Sequence, residues 1–260
     1  MMNNTKNIFI FRGNEILVES GSNSIVTQKP AQLESVAIVD SLNEKTNCHE
    51  STYSIAFSPS TPAPKGTEWR QVRTLLASNP ESTTQPILKA LALLNWRSTS
   101  RFCGRCGALT EDKNDEIARI CSKCGLVIYP RLSPAILALV TKGDQILLAR
   151  NAAFTSGIFS LIAGFLETGE NFETCVRREV LEEMGIEVDD IVYLGSQPWP
   201  FPDSLMIGFQ AAWKSGDIKP DGVEIIEAGW FSPDRHPSLP PIGSLSRKLI
   251  DNAFNKISQM

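Results

Sequence analysis

Two Cys-x2-Cys pairs, Cys103 with Cys106 and Cys121 with Cys124, lie fourteen residues apart and constrain this chain more than any other feature. A glycine follows each pair, Gly107 and Gly125, so each reads as a tight turn presenting two thiolates. Two such turns complete a tetrahedron around Zn²⁺, with Zn–S near ~2.3 Å. With all four positions filled by protein, the ion is expected to be structural rather than catalytic. Disulfides and a redox Cys-x2-Cys are the competing readings. Nothing in the sequence indicates secretion, which favours the metal. Cys48 and Cys175 have no partner at ligand spacing and read as ordinary buried thiols. Zinc ribbons often bind nucleic acid, so a ribbon alone leaves function open.

Charge and composition narrow the classes. The 25 basic and 29 acidic residues give a net charge of −4, which argues against a protein that coats duplex nucleic acid or an anionic membrane. No apolar run approaches the ~20 residues of a membrane span. The start, Met1 to Lys6, is polar, and Ile8–Phe11 is too short for the apolar region of a signal peptide. A cytoplasmic protein is expected. The 260 residues allow one large or two modest domains. The only histidines are His49 and His236. That excludes an H-E-x-x-H zinc site, and a Ser-His-Asp triad would need one of these two. Hydrolytic chemistry here is expected to run on carboxylates and a metal.

Along the chain, Ile8–Arg12 and Glu15–Glu19 read as a hairpin around Gly13-Asn14. Ser35–Leu42 and Tyr53–Phe57 read as further strands, and Ser58–Gly66 as a loop. Trp69–Ala77 and Ile87–Trp96 carry helical apolar spacing, with a polar break over Asn79–Pro86. Ala135–Thr141 and Gln145–Arg150 form a second hairpin that resembles the first: Gly143-Asp144-Gln145-Ile146-Leu147-Leu148 against Gly13-Asn14-Glu15-Ile16-Leu17-Val18. The N-terminal part then reads either as a degenerate copy of the C-terminal part or as an unrelated hairpin. Further on come a loop near Gly164–Gly169, a helix over Asn171–Met184, strands near Ile191–Gly195 and Leu205–Trp213, and a helix over Ser244–Ile257. Strands interleaved with few helices suggest a mixed sandwich rather than a doubly wound sheet.

On the first of these helices Glu179, Glu182 and Glu183 stand at i, i+3 and i+4 and share a face. Val176, Val180 and Met184 give an adjacent apolar stripe, and Gly185 sits where a left-handed cap belongs. Arg178 is placed to neutralise a carboxylate, with Glu170 the obvious partner. Such a cluster can be a solvated face. Turned toward a cleft, its oxygen-only donors suit Mg²⁺ or Mn²⁺, and those ions suit phosphate chemistry.

Residues 164–186 match G-x5-E-x7-R-E-U-x-E-E-x-G-U, with U apolar, at all nine defined positions. The chain thereby resembles the Nudix hydrolases, which cleave nucleoside diphosphates linked to another moiety. The resemblance implies an α+β chain whose catalytic part is an α/β/α sandwich with the box as loop–helix–loop. It implies that Glu179, Glu182 and Glu183 hold Mg²⁺ or Mn²⁺, with the backbone carbonyl of Ala163. It makes Glu170 and Arg178 structural partners.

Ten residues beyond the box runs Ser196-Gln197-Pro198-Trp199-Pro200-Phe201-Pro202-Asp203-Ser204. Three prolines stiffen it and hold the Trp199 and Phe201 rings, whose faces can stack on a base. Gln197 and Ser204 can hydrogen-bond at the edges. A plain surface loop or a polyproline ligand are the other readings of this stretch alone. The run resembles the signature of the NADH pyrophosphatase branch of the Nudix hydrolases, also described as NAD-cap-removing RNA hydrolases, in which a four-cysteine ribbon precedes the catalytic domain. That resemblance implies a substrate loop over Gln197, Pro198, Trp199, Pro200, Phe201, Pro202, Asp203 and Ser204. It implies a further metal-binding Glu224, and substrate contacts at Glu116, Tyr129, Ser246 and, on a weaker alignment, Arg70. It also implies a homodimer.

The domains expected are 1–98, a noncatalytic and degenerate Nudix-like β-rich domain; 99–130, the zinc ribbon; and 131–260, the catalytic domain. The expected reaction is hydrolysis of the pyrophosphate of NAD(H) to AMP and NMN(H), with Glu183 taking the proton of the attacking water. An NAD cap on RNA is the second substrate reading. Another dinucleotide or nucleoside diphosphate derivative, or an inert scaffold carrying a zinc-ribbon binding module, are the alternatives; the intact box argues against the last.

Overall fold

The computed structural model describes residues 8–44, 52–153 and 157–259. Met1–Lys6, Cys48 and His49 lie outside the described residues. The chain forms two compact units: residues 1–132 with 199–203, and residues 133–198 with 204–260.

The second unit is built on strands β9 (Ser133–Lys142), β10 (Gln145–Asn151), β11 (Ile162–Phe165), β12 (Glu187–Trp199), β13 (Ser204–Ser215) and β14 (Ile225–Phe231). Their order is β12-β13-β9-β10-β14, with β11 also on β9. Strand β9 is apolar on both faces, because both are covered. Ile136, Ala138 and Val140 share a core with Cys175, Val176, Val180 and Met184 of helix α3 (Phe172–Met184). Leu137 and Leu139 share the opposite core with Leu249, Ile250 and Phe254 of helix α4 (Leu245–Ile257). The result is an α/β/α sandwich.

The first unit carries β1 (Ile8–Arg12), β2 (Glu15–Glu19), β3 (Asp40–Glu44), β4 (Thr52–Phe57) and β5 (Thr67–Gln71) in the order β3-β4-β1-β2-β5. The same alternation sorts its core. Phe9, Phe11, Ile16 and Val18 pack with helices α1 (Val72–Leu75) and α2 (Glu81–Thr99). Ile10 and Leu17 pack with Leu33, Ile55 and Phe57.

The two sheets repeat one topology. Each has an antiparallel hairpin, β1–β2 or β9–β10. In each, the first hairpin strand pairs in parallel with a later one, β1 with β4 and β9 with β13. In each, the second hairpin strand carries an antiparallel edge, β5 or β14, followed by a helix. The N-terminal copy is degenerate where it matters: between β2 and β3 the only helical piece is a 3-10 turn at Ala31–Leu33, where the second sheet has α3. The ribbon's sheet, β6 (Thr110–Asp112), β7 (Arg119–Cys121) and β8 (Val127–Ile128), belongs to the first unit. Arg97 of α2 joins it there, donating to Asp40 at 3.0 Å and to Asp112 at 2.5 Å.

Four expectations need correction. Trp69–Gln71 is strand, with helix only over Val72–Leu75. Pairing with β2 and the side-chain contacts of Trp69, whose indole N–H donates to the Thr61 carbonyl at 3.0 Å beneath the Arg12 guanidinium, override the helical spacing. Helix α2 starts at Glu81 and runs through the expected polar break. Pro86 lies on its exposed side, so the hydrogen bond it removes leaves a carbonyl facing water. Strand β3 starts at Asp40 rather than Ser35, and Ile38 and Val39 are exposed. Most of the proline-rich stretch is strand: β12 runs through Pro198 to Trp199 and β13 resumes at Ser204, leaving a four-residue tip. Strand β14 shows no clean alternation in sequence and is specified by its pairing with β10.

Candidate active site

Helix α3 is set by its ends. The Asn171 side chain caps the start, accepting from the Thr174 N–H at 2.8 Å. Gly185 ends it in the left-handed conformation, φ 68°. The last carbonyls, which the helix cannot use itself, accept from outside it: Met184 from the Lys219 N–H at 2.8 Å and Glu183 from the Asp221 N–H at 3.1 Å. This second bond brings the loop before β14 against the box.

Arg178 is the hub of the carboxylates. Its Nε and Nη2 donate to the two oxygens of Glu170 at 2.7 and 2.9 Å. Nη1 donates to Glu179 at 2.8 Å and Glu182 at 3.1 Å, and Nη2 also reaches the Phe165 carbonyl at 3.0 Å. Glu170 further accepts from the Glu167 N–H at 2.9 Å. The Arg178 guanidinium and that N–H hold the Glu170 carboxyl down at about 2, so Glu170 is committed to the loop. Glu179 lies directly against β11: a Cβ on Gly164 would fall 1.8 Å from the Glu179 carboxyl carbon. Any larger residue there would have to displace the Glu179 carboxylate.

Glu183 differs from its neighbours. It is 6% exposed, and its Oε2 is buried with no hydrogen-bond partner. Burial, then the charges of Glu179, Glu224, Asp221 and Glu182, push it up to about 8. Burial also raises Glu179, against the pull of Arg178. Glu182 is largely exposed. Glu224 is exposed on the loop before β14. That loop is shaped by Asp221, whose carboxylate accepts from the N–H groups of Val223, Glu224 and Ile225 at 3.2, 3.1 and 2.8 Å. Sequence reasoning passed over Asp221; the Asp-Gly pair at 221–222, a turn signal, could have flagged it. Ala163 lies in β11 opposite Leu137 of β9. An orphaned buried oxygen, an oxygen-only donor set and mutually repelling acids fit a hard divalent cation.

In the ribbon the four sulfurs lie within 4.8 Å of one another. Cys103 and Cys124 are 3.6 Å apart, Cys106 and Cys121 3.5 Å. The knuckles are near-copies. Cys103 and Cys121 each donate N–H to the residue five on, at 2.7 and 2.9 Å, and each accepts from the glycine four on at 2.9 Å. Gly107 and Gly125 take φ 72° and 71°. Burial opposes the thiolate at Cys103, but the N–H groups of Arg105 and Cys106 outweigh it and hold its pKa down at about 6. Four thiols at this separation match the tetrahedral edge around Zn²⁺.

The remaining expected residues divide between the units. In the first, Tyr129 donates to Glu116 at 3.3 Å, and Lys113 pairs with Glu116 at 2.9 Å. Arg70 lies on β5 bonded to Glu68 and Asn23. Trp199 meets Phe201 edge to face, with centroids 5.2 Å apart. Phe201 packs against the core of α2 and the sheet, so its ring is partly committed there. Pro200 is buried, its carbonyl accepting from Asn95 at 3.3 Å, while Pro202 is exposed and Asp203 half-buried. In the second unit Pro198 is exposed on β12, and Ser204 is buried at the start of β13 opposite Ser133. Gln197 and Ser246 both engage the start of α4. Gln197 bonds Gly243 and Leu245 at 2.9 and 2.7 Å; Ser246 bonds Ser160 at 2.8 Å.

Comparison with known proteins matches residues 131–253 to the NUDIX domain family and residues 98–129 to the NADH pyrophosphatase zinc ribbon domain. A Chromobacterium violaceum protein named NAD-capped RNA hydrolase NudC is 42% identical over 199 residues, 76% of this chain and 75% of that protein. A Pseudomonas aeruginosa (strain LESB58) protein of the same name is 51% identical over 156 residues, 60% of this chain. The match spans 56% of that relative's length. Among solved structures, a NUDIX hydrolase from Nitrosomonas europaea superposes with a TM-score of 0.50 at 24% identity. It covers 61% of this chain and 91% of its own, a likeness of fold.

Proposed function

The chain belongs to the NADH pyrophosphatase branch of the Nudix hydrolases, and on that premise we propose that it hydrolyses the pyrophosphate of NAD(H) to NMN(H) and AMP. The observation that carries the reading is the buried, unpartnered Glu183 Oε2 among the charges of Glu179, Glu182 and Glu224. These four carboxylates and the Ala163 carbonyl hold Mg²⁺ or Mn²⁺. When bound, such an ion polarises phosphoryl oxygens and lowers the pKa of water. The protein's own part is to orient and to move one proton. Water attacks one phosphorus, the bridging P–O bond breaks, and the Glu183 carboxylate takes the water's proton. General base catalysis of this kind contributes ~10²–10⁴-fold. Arg178, locked to Glu170 by two hydrogen bonds, keeps the carboxylates from splaying. The four cysteines hold Zn²⁺ as a structural ion.

Trp199 supplies a stacking face, and Glu116, Tyr129, Arg70 and Asp203 supply polar contacts to the dinucleotide. The relatives' name favours a second substrate of the same chemistry, an NAD cap on an RNA 5′ end. A homodimer is the expected working form, on the family resemblance; sedimentation at twice the chain mass supports it and sedimentation at the chain mass refutes it.

The test is a product assay. Purified protein is incubated with NADH and Mg²⁺ or Mn²⁺ beside Glu183→Gln, and products are separated chromatographically. AMP and NMNH from the wild type alone are expected. No products from NADH overturn the substrate; an unimpaired variant overturns Glu183 as the base. Competition of capped RNA against NADH then ranks the two substrates.

A further inference from the structure

Gln197 and Ser246 are 49 residues apart in sequence, yet both end on the first turn of α4. The Gln197 amide is engaged at both ends. Its Nε2 donates to the Gly243 carbonyl at 2.9 Å, and its Oε1 accepts from the Leu245 N–H at 2.7 Å. Leu245 is the first residue of α4, so its N–H has no partner within the helix and needs one from outside. Ser244 caps the next part of the turn, accepting from the Arg247 N–H at 3.3 Å.

Ser246 is only 7% exposed. Its Oγ shares a hydrogen bond with Ser160 Oγ at 2.8 Å and accepts from the Leu161 N–H at 3.4 Å. Ser160 is itself pinned to Ala149 by backbone bonds of 2.8 and 2.9 Å. Leu161 leads directly into β11, whose Gly164 lies against the Glu179 carboxyl.

The geometry points to Gln197 and Ser246 as positioning residues rather than contacts to substrate: through the first turn of α4 they lock the end of β12 to β11, the strand that carries Ala163 and Gly164. Both polar groups are spent inside the protein, and every bond lies within one compact unit. The consequence for catalysis rests on the reading proposed above. Cleavage at the carboxylates needs β11 held in fixed register, and small misplacements of reacting groups cost large factors in rate.

The experiment uses the full chain with Gln197→Met, Ser246→Ala and the double variant, and Gln197→Glu as the conservative form. Gln197→Met keeps the length and removes both bonds; Gln197→Glu keeps the acceptor for Leu245. Turnover is measured with NADH and with its hypoxanthine and thionicotinamide analogues, which alter the hydrogen-bonding edge of each base in turn. We expect kcat/KM to fall about tenfold by the same factor for all three substrates, in line with two lost hydrogen bonds. Gln197→Glu should recover part of it, and the double variant should be no worse than the poorer single one. Peptide hydrogen exchange reads the same lock without turnover. Gln197→Met should speed exchange in 243–247 and in 160–164, and Ser246→Ala should speed it in 192–198. A loss that depends on which base edge is altered, additive single variants, or exchange confined to the substituted segment overturns the inference. If the wild type does not turn over NADH at all, the proposed substrate fails while the exchange arm still decides the lock.

Discussion

Glu183→Gln separates the two things the Glu183 carboxyl does, and the sharper readout is stability. Take protein dialysed free of Mg²⁺ and Mn²⁺ with its zinc retained. In the fold the Glu183 carboxyl is pushed from 4.5 up to about 8 by burial and by Glu179, Glu224, Asp221 and Glu182. Unfolded, it returns to ~4.3. A raised carboxyl means the folded state holds the proton longer than the unfolded one, so stability falls as pH rises from about 4.3 to about 8 and is level outside that window. At ~1.4 kcal/mol per pH unit, the cost at pH 8 and above is about 3–5 kcal/mol. Glutamine keeps the shape and carries no charge. The variant should therefore match the wild type near pH 4 and be the more stable by about 3–5 kcal/mol at pH 8, roughly 10 °C in melting temperature. Adding Mg²⁺ should raise the wild type and close most of the gap. Calorimetric melts from pH 4 to 9, with and without Mg²⁺, measure all of this. Parallel curves for the two proteins across the range, or a variant less stable at pH 8, would refute the claim that Glu183 is held in a site lacking its cation.

Three further outcomes follow from the same geometry. Gly164→Ala should cut turnover at least tenfold while the fold survives, because the new Cβ lies 1.8 Å from the Glu179 carboxyl carbon and must displace that side chain; steady-state rates alongside circular dichroism check it. Arg178→Lys replaces a two-pronged grip on Glu170 with a single ammonium and should destabilise by about 1–3 kcal/mol, read by urea denaturation, with hydrogen exchange rising in residues 165–171. Wild-type protein should carry one zinc per chain by elemental analysis. Cys124→Ser should lose it, and residues 101–129 should become protease-sensitive before the rest of the chain.

The placement of the donor groups was legible because it is local. Knuckle glycines Gly107 and Gly125, at φ 72° and 71°, and the i, i+3, i+4 carboxylates need only short stretches of chain to express their meaning. The helix ends at Asn171 and Gly185 were readable for the same reason. The errors came where long-range pairing competes with local pattern. Trp69 has helical spacing but lies opposite Leu17 in a sheet. Phe201 reads as a free aromatic face and is half-spent on a core formed largely by residues before position 95. The resemblance between the hairpins at Gly13 and Gly143 left two readings open, and only the assembled sheets display the shared strand order, β3-β4-β1-β2-β5 beside β12-β13-β9-β10-β14.

By itself the sequence determined which donor groups stand together: four thiols at ribbon spacing, a row of carboxylates on one helix face, and caps that place each on its element. Tertiary structure alone decided which of those groups are available. A carboxylate's reactivity depends on burial and neighbours, so Glu170, Glu182 and Glu183, identical as residues, emerge as a clamp on Arg178, an exposed acid and a buried oxygen without a partner. The same physics engages Gln197 inside the protein, since the helix start at Leu245, far along the chain, has an N–H that the helix itself cannot satisfy.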